Sequence, residues 1–271
     1  MEHNKVDLLN SLVVAFKELP EVYSISVFGS TKDKSADKYS DIDLMVCSTD
    51  MVQTSLSFRN AIEKISPIVG YSPFFDERPN IISQIIYLKN FEAFKKIDLT
   101  IVPYIGYMAE FNPEITTIFE KDVPVKDSST ILPAITIQTE TTSMWFAKYL
   151  GFLVGFYKTW NRKSFDYYRY WTVIKDLSLV LQYEDLFGFQ ENLNKTRLES
   201  HELKLLYKTL DANQKSKFEE ILPLNGELNI FKSFKVAANL FIDLATKKAS
   251  YLNRNIDQDF VEYVRAFLNS N

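Results

Sequence analysis

The sequence predicts an α+β protein, with a mixed β-sheet and flanking helices in its first half and a helical bundle in its second. Two observations carry this. Short runs at the two-residue period of strands, over residues 22–28, 40–47, 81–88 and 96–103, crowd the first half of the 271 residues. Beyond Ser128 the period changes to that of helices, and no proline stands between Pro133 and Pro223. The chain therefore divides into two expected domains, residues 1–127 and 128–271.

The elements follow in order. Residues 5–19 read as a helix with Val6, Leu9, Val13 and Phe16 on one face, closed by Pro20. The strand 22–28 runs into Gly29-Ser30. In Ser40-Asp41-Ile42-Asp43-Leu44-Met45-Val46 polar and apolar residues alternate, so Asp41 and Asp43 share one face while Ile42 and Leu44 point to a core. Residues 53–65 read as a helix. Residues 67–79, with Gly70, Pro73 and Asp76-Glu77, read as an irregular connection to the strand 81–88. In the strand 96–103, Ile97, Leu99 and Ile101 alternate with Asp98 and Thr100. The sum is a sheet of four or five strands ending near Val125.

In the second half, the apolar stretch 144–157 is interrupted by Lys148 and falls short of the roughly 20 residues that cross a bilayer, so it reads as a buried helix. Trp145, Tyr149, Phe152 and Phe156 recur at four, three and four residues, one stripe of that helix, and are expected to be core. Residues 166–183, with Tyr167, Trp171, Ile174 and Leu181, read as a second helix, and 231–252 as a third.

The acids carry the chemistry. Two carboxylates on one strand face near its end call for a cation, and magnesium, which takes hard oxygen ligands and leaves room for substrate phosphates, is the natural choice. Asp98 could complete a triad, in which acids hold cations about 3.5–4 Å apart, or could simply pair with Lys96. Gly29 allows a sharp turn or close approach to a phosphate, and Ser30, as the first residue of a helix, would offer its hydroxyl and free N–H groups there or serve only as a cap. Lys32 and Lys34 are further candidates for phosphate contact.

Glycine-serine, a ten-residue gap, the pair Asp41-Ile42-Asp43 and the later strand acid Asp98 together resemble the nucleotidyltransferase superfamily. Residues 96–103 and 118–126, and less specifically 255–263, narrow the resemblance to the aminoglycoside 6-adenylyltransferase (streptomycin adenylyltransferase) family. The resemblance implies a nucleotidyltransferase-type catalytic domain followed by a helical substrate-binding domain. It further implies ATP as the donor of AMP, Mg²⁺ on Asp41, Asp43 and Asp98, and a cationic small-molecule acceptor, an aminoglycoside hydroxyl. Asp98 is expected to assist deprotonation of that hydroxyl, with Gly29, Ser30, Lys32 and Lys158, and also Arg169, near the nucleotide. Asp76, Glu77, Glu140 and Asp166 are the available acids for an acceptor's ammonium groups.

Composition sets limits on function. One cysteine, Cys47, allows neither a disulfide framework nor a cysteine metal site, and with an amphipathic rather than long apolar N-terminal stretch it leads us to expect a cytoplasmic protein. A net charge of −4 without a long basic run argues against nucleic acid as partner. The alternatives are a nucleotidyltransferase that acts on a tRNA end or a protein hydroxyl, and a non-catalytic nucleotide-binding module.

Overall fold

The computed structural model describes residues 5–29, 40–74, 81–89, 96–104, 115–122, 142–191, 193–222 and 228–270. The chain forms two compact units, Met1–Thr139 and Glu140–Asn271. The expected division between 127 and 128 lies outside the described residues.

The first unit opens with helix α1 (Lys5–Lys17) and strand β1 (Val22–Val27), followed by β2 (Ile42–Ser48). Helix α2 (Met51–Ile65) leads to β3 (Ile68–Phe74), β4 (Ile82–Leu88), β5 (Lys96–Pro103) and β6 (Thr116–Glu120). The six strands form one sheet in the order β3-β4-β5-β2-β1-β6. Its two central strands, β2 and β5, are parallel, and every other pairing is antiparallel.

Alternation decides what each face carries. Ile42, Leu44 and Val46 of β2 and Ile97, Leu99 and Ile101 of β5 are fully buried against Leu8, Leu12 and Phe16 of α1 and Phe58 and Ile62 of α2. The Phe16 and Phe58 rings lie 3.7 Å apart at their centres. Burial of each such side chain contributes about 1.5–3 kcal/mol. The opposite face carries a smaller cluster that includes Met45, Cys47 and Val102. Because both helices of this unit pack on one side, the alternating partners of the core residues, Asp43, Lys96 and Asp98 among them, come to the other side.

Four expectations from sequence are corrected here. The buried stripe of α1 is Leu8, Leu12 and Phe16, with Leu9 and Val13 at its margin, while Val6 is 65% exposed. The doublets Leu8-Leu9 and Leu12-Val13 offer two overlapping stripes, and the structure takes the one in exact i, i+4 line with Phe16. Helix α2 begins at Met51 rather than at 53, because the Asp50 carboxylate accepts from the Gln53 N–H at 2.9 Å and caps the turn. Most of the connection expected over 67–79 is strand β3. The sheet has six strands, since β6 at its far edge escaped the sequence reading.

The second unit is helical: α3 (Thr142–Asn161), α4 (Asp166–Phe187), α5 (Ser200–Thr209), α6 (Ala212–Ile221), α7 (Ile230–Tyr251) and α8 (Gln258–Ser270). Helices α3, α4 and α7 pack on one another, α6 packs on α7, and α8 packs on α3 and α7. Trp145, Tyr149 and Phe156 of the aromatic stripe are core, as its spacing implies, while Phe152 is only half-buried. Phe156 stacks on Phe234 with ring centres 3.6 Å apart, and Trp145 and Tyr149 lie against Phe241. Among the described residues no helix is long and apolar enough to cross a membrane.

Candidate active site

Sheet register builds the site. In the parallel β2–β5 pair, Asp43 and Asp98 are partners at the same level. Neighbouring strands run about 4.8 Å apart, and register partners of a parallel pair project to the same face, so these carboxyl groups emerge side by side. Asp41 precedes β2 by one residue and is 8% exposed. Its Oδ1 accepts from the backbone N–H of Lys96 at 3.4 Å, which ties the start of β2 to the start of β5.

Antiparallel pairing brings the glycine turn to the same place. Val27 of β1 lies opposite Leu44 of β2, and the N–H of Phe28 donates to the backbone carbonyl of Asp43 at 3.3 Å. Gly29 follows with φ +59°, and a β-carbon on it would stand 2.9 Å from Oδ2 of Asp43. Only a residue without a side chain takes this backbone conformation freely and lets the turn press on the carboxylate.

Lys96 was named in the sequence only as a pairing partner for Asp98, yet it links two of the acids. Its ammonium donates to both carboxylate oxygens of Asp98 and stands 3.6 Å from Oδ2 of Asp41. Burial favours the neutral amine, but Asp98, Asp41 and Asp43 outweigh it and hold the Lys96 pKa above its ordinary value. The signal was available: Lys96 and Asp98 are two residues apart on one strand and so share a face.

Ser30, Lys32 and Lys34 lie outside the described residues, as do Asp76, Glu77 and Glu140. Lys158 is buried in the last turn of α3, in the second unit, and Arg169 is exposed on α4. Asp166 opens α4, where its Oδ2 accepts from the Ser164 hydroxyl at 3.0 Å.

Among the described residues no three or more His, Cys, Asp or Glu side chains stand at metal-holding spacing. The donors nevertheless suit a hard cation. They are carboxylate oxygens on adjacent strand positions, and a positive charge is already drawn to two of them. The backbones of Asp43 and Asp98 are register partners on adjacent strands.

Residues 9–122 match the family model described as "Nucleotidyltransferase domain", a span that contains β1 to β6, Gly29 and all three acids. A search of curated proteins gave no match. Among solved structures the chain is similar to an aminoglycoside 6-adenyltransferase from Bacillus subtilis, at 13% identity and TM-score 0.34 over 99% of this chain and 98% of that one. It is also similar to a spectinomycin adenyltransferase from Enterococcus faecialis, solved with ATP and spectinomycin, at 14% identity and TM-score 0.28 over 89% of this chain and 99% of that one. The family match covers the whole acid-bearing sheet, and residues 9–122 accordingly carry a nucleotidyltransferase domain.

Proposed function

We propose that the protein transfers AMP from ATP to a hydroxyl group of a small cationic molecule, an aminoglycoside, and releases pyrophosphate in a magnesium-dependent reaction. The observation that carries the reading is the pairing of Asp43 with Asp98 at one level of the sheet, with Gly29 pressed against Asp43. It is supported by the family match over residues 9–122 and by the spacing of the motif.

In this reading Asp41, Asp43 and Asp98 would hold the cation. Bound there, a divalent ion would supply charge neutralisation for the attacking and leaving oxygens of the displacement. The turn at Gly29 gives the triphosphate a backbone surface with no side chain in the way. Asp98 accepts the proton of the acceptor hydroxyl as its oxygen attacks the α-phosphorus. The bond from that phosphorus to the bridging oxygen of the β-phosphate breaks, and the electron pair leaves with pyrophosphate. Alignment and charge stabilisation supply most of the rate, as in phosphoryl transfer generally. The net charge of −4 suits a polycationic acceptor.

The test is to incubate the protein with α-labelled ATP, magnesium and, in separate reactions, a panel of aminoglycosides, tRNA and total cell protein. Label on an aminoglycoside is the expected result. Label on RNA or protein would reassign the acceptor, and nucleotide binding without any labelled product would refute transfer.

A further inference from the structure

Lys96 is the one cation that bridges two acids of the candidate site among the described contacts. Its backbone and side chain both engage them: the N–H reaches Oδ1 of Asp41 at 3.4 Å, and the ammonium stands 3.6 Å from Oδ2 of Asp41 while donating to both oxygens of Asp98. The side chain is 21% exposed, and it comes from the same strand face as Asp98. A lysine so placed does two things at once. It cancels part of the repulsion between carboxylates that the sheet forces together, and it uses the lone pairs that a metal ion would need.

We propose that Lys96 is a tethered counter-ion of this site: it positions Asp98 and Asp41 and competes with a divalent cation for their oxygens. The inference rests on the metal-dependent reading above and deepens it by naming the residue that sets metal affinity. Entry of a divalent ion at Asp98 then requires the ammonium to leave both Asp98 oxygens. The four-carbon stem allows this, because a lysine head can swing several ångströms without movement of its strand. Released, the ammonium would be free to meet anionic oxygens of an incoming nucleotide.

The competition has a consequence opposite to that of a merely supportive ion pair. If Lys96 only props up the acids, its loss should disorder them and weaken metal binding. If it competes, its loss should strengthen binding. The experiment is a titration of the full chain with Mn²⁺, with free ion followed by electron paramagnetic resonance, for the natural protein, Lys96→Met and Lys96→Arg. Lys96→Met should bind roughly ten-fold more tightly than the natural protein, and Lys96→Arg, which keeps the positive charge, should stay close to it. Equal or weaker binding by Lys96→Met would overturn the competition and leave the metal-dependent reading standing. No Mn²⁺ binding by any of the three would overturn both.

A second measurement needs no variant. In the natural protein the ¹⁵N resonance of the Lys96 ammonium should shift as Mg²⁺ saturates the site, since its carboxylate partners are taken over. A Lys96 signal unmoved at saturating Mg²⁺ would refute the proposal.

Discussion

Gly29 and Asp43 are locked together by backbone geometry: a β-carbon on the glycine would lie 2.9 Å from a carboxylate oxygen of the aspartate. The backbone at Gly29 has φ +59°, where any residue with a side chain is strained by about 1–2 kcal/mol. Gly29→Ala should therefore lower stability by about that amount in urea denaturation. The added methyl must also push the Asp43 carboxylate aside, so nucleotidyl transfer should fall further than the stability loss explains. An alanine variant with natural stability and natural turnover would show that the turn has no such role.

Asp43→Asn separates chemistry from fold. Asp43 sits in β2 between the buried residues Ile42 and Leu44, whose packing the substitution leaves alone, and it removes one of three negative charges gathered on one face. Stability should hold or rise slightly. Pyrophosphate release should fall by about a thousand-fold or more, the scale of losing several kcal/mol of charge stabilisation in the transition state. Undiminished turnover in this variant would refute the assignment of the acids.

Most of the sheet was legible because its strands obey a clean two-residue period, and the acids stood out as polar interruptions in otherwise apolar strands. Strand β3 was misread because Gly70 and Pro73 punctuate it. Both are tolerated there: β3 is an edge strand, where proline costs no inner ladder bond, and the register slips between Ile68 and Gly70. Strand β6 is the opposite edge, with Thr116, Thr117 and Ile118 exposed, so burial imprinted little pattern on it. The short helices α5 and α6 are mostly polar and have little apolar stripe to read. Their capping boxes, Glu199 with Glu202 and Asp211 with Gln214, were the signals that could have found them. The role of Lys96 as a link between Asp98 and Asp41 depends on β2 and β5 being parallel neighbours, which no local pattern reveals.

Ser233 joins three helices of the second unit. Its buried hydroxyl accepts from Nε1 of Trp171 on α4 at 2.9 Å and donates to the backbone carbonyl of Ile221 on α6, also at 2.9 Å. Ser233→Ala would leave both partners buried and unsatisfied, at a cost of about 1–3 kcal/mol. Adding Trp171→Phe removes the orphaned N–H, so the indole's share of the serine effect should vanish in the double variant. Purely additive losses, measured by urea denaturation of the single and double variants, would show that the hydrogen bond contributes nothing.

Glu184 of α4 and Lys248 of α7 form an ion pair at 2.7 Å with both side chains under 5% exposed. Burial raises the Glu184 pKa above its ordinary 4.5, opposed by the hydrogen bond and charge of Lys248. The sign follows from linkage. A carboxyl group with a raised native pKa binds its proton more tightly folded than unfolded, so the contribution is full below 4.5 and is lost as pH rises through the native value. Lys248→Met removes the opposing charge and leaves burial to act alone. That variant should lose about 3–5 kcal/mol near neutral pH and much less near pH 4, where the proton replaces the lost ammonium. Pairing it with Glu184→Gln removes the stranded charge and should restore most of the loss at high pH, with a flatter profile. The check is urea denaturation of the natural protein and the two variants from about pH 4 to about pH 8. A Lys248→Met penalty equal at both ends would mean that the pair is not governed by the protonation of Glu184.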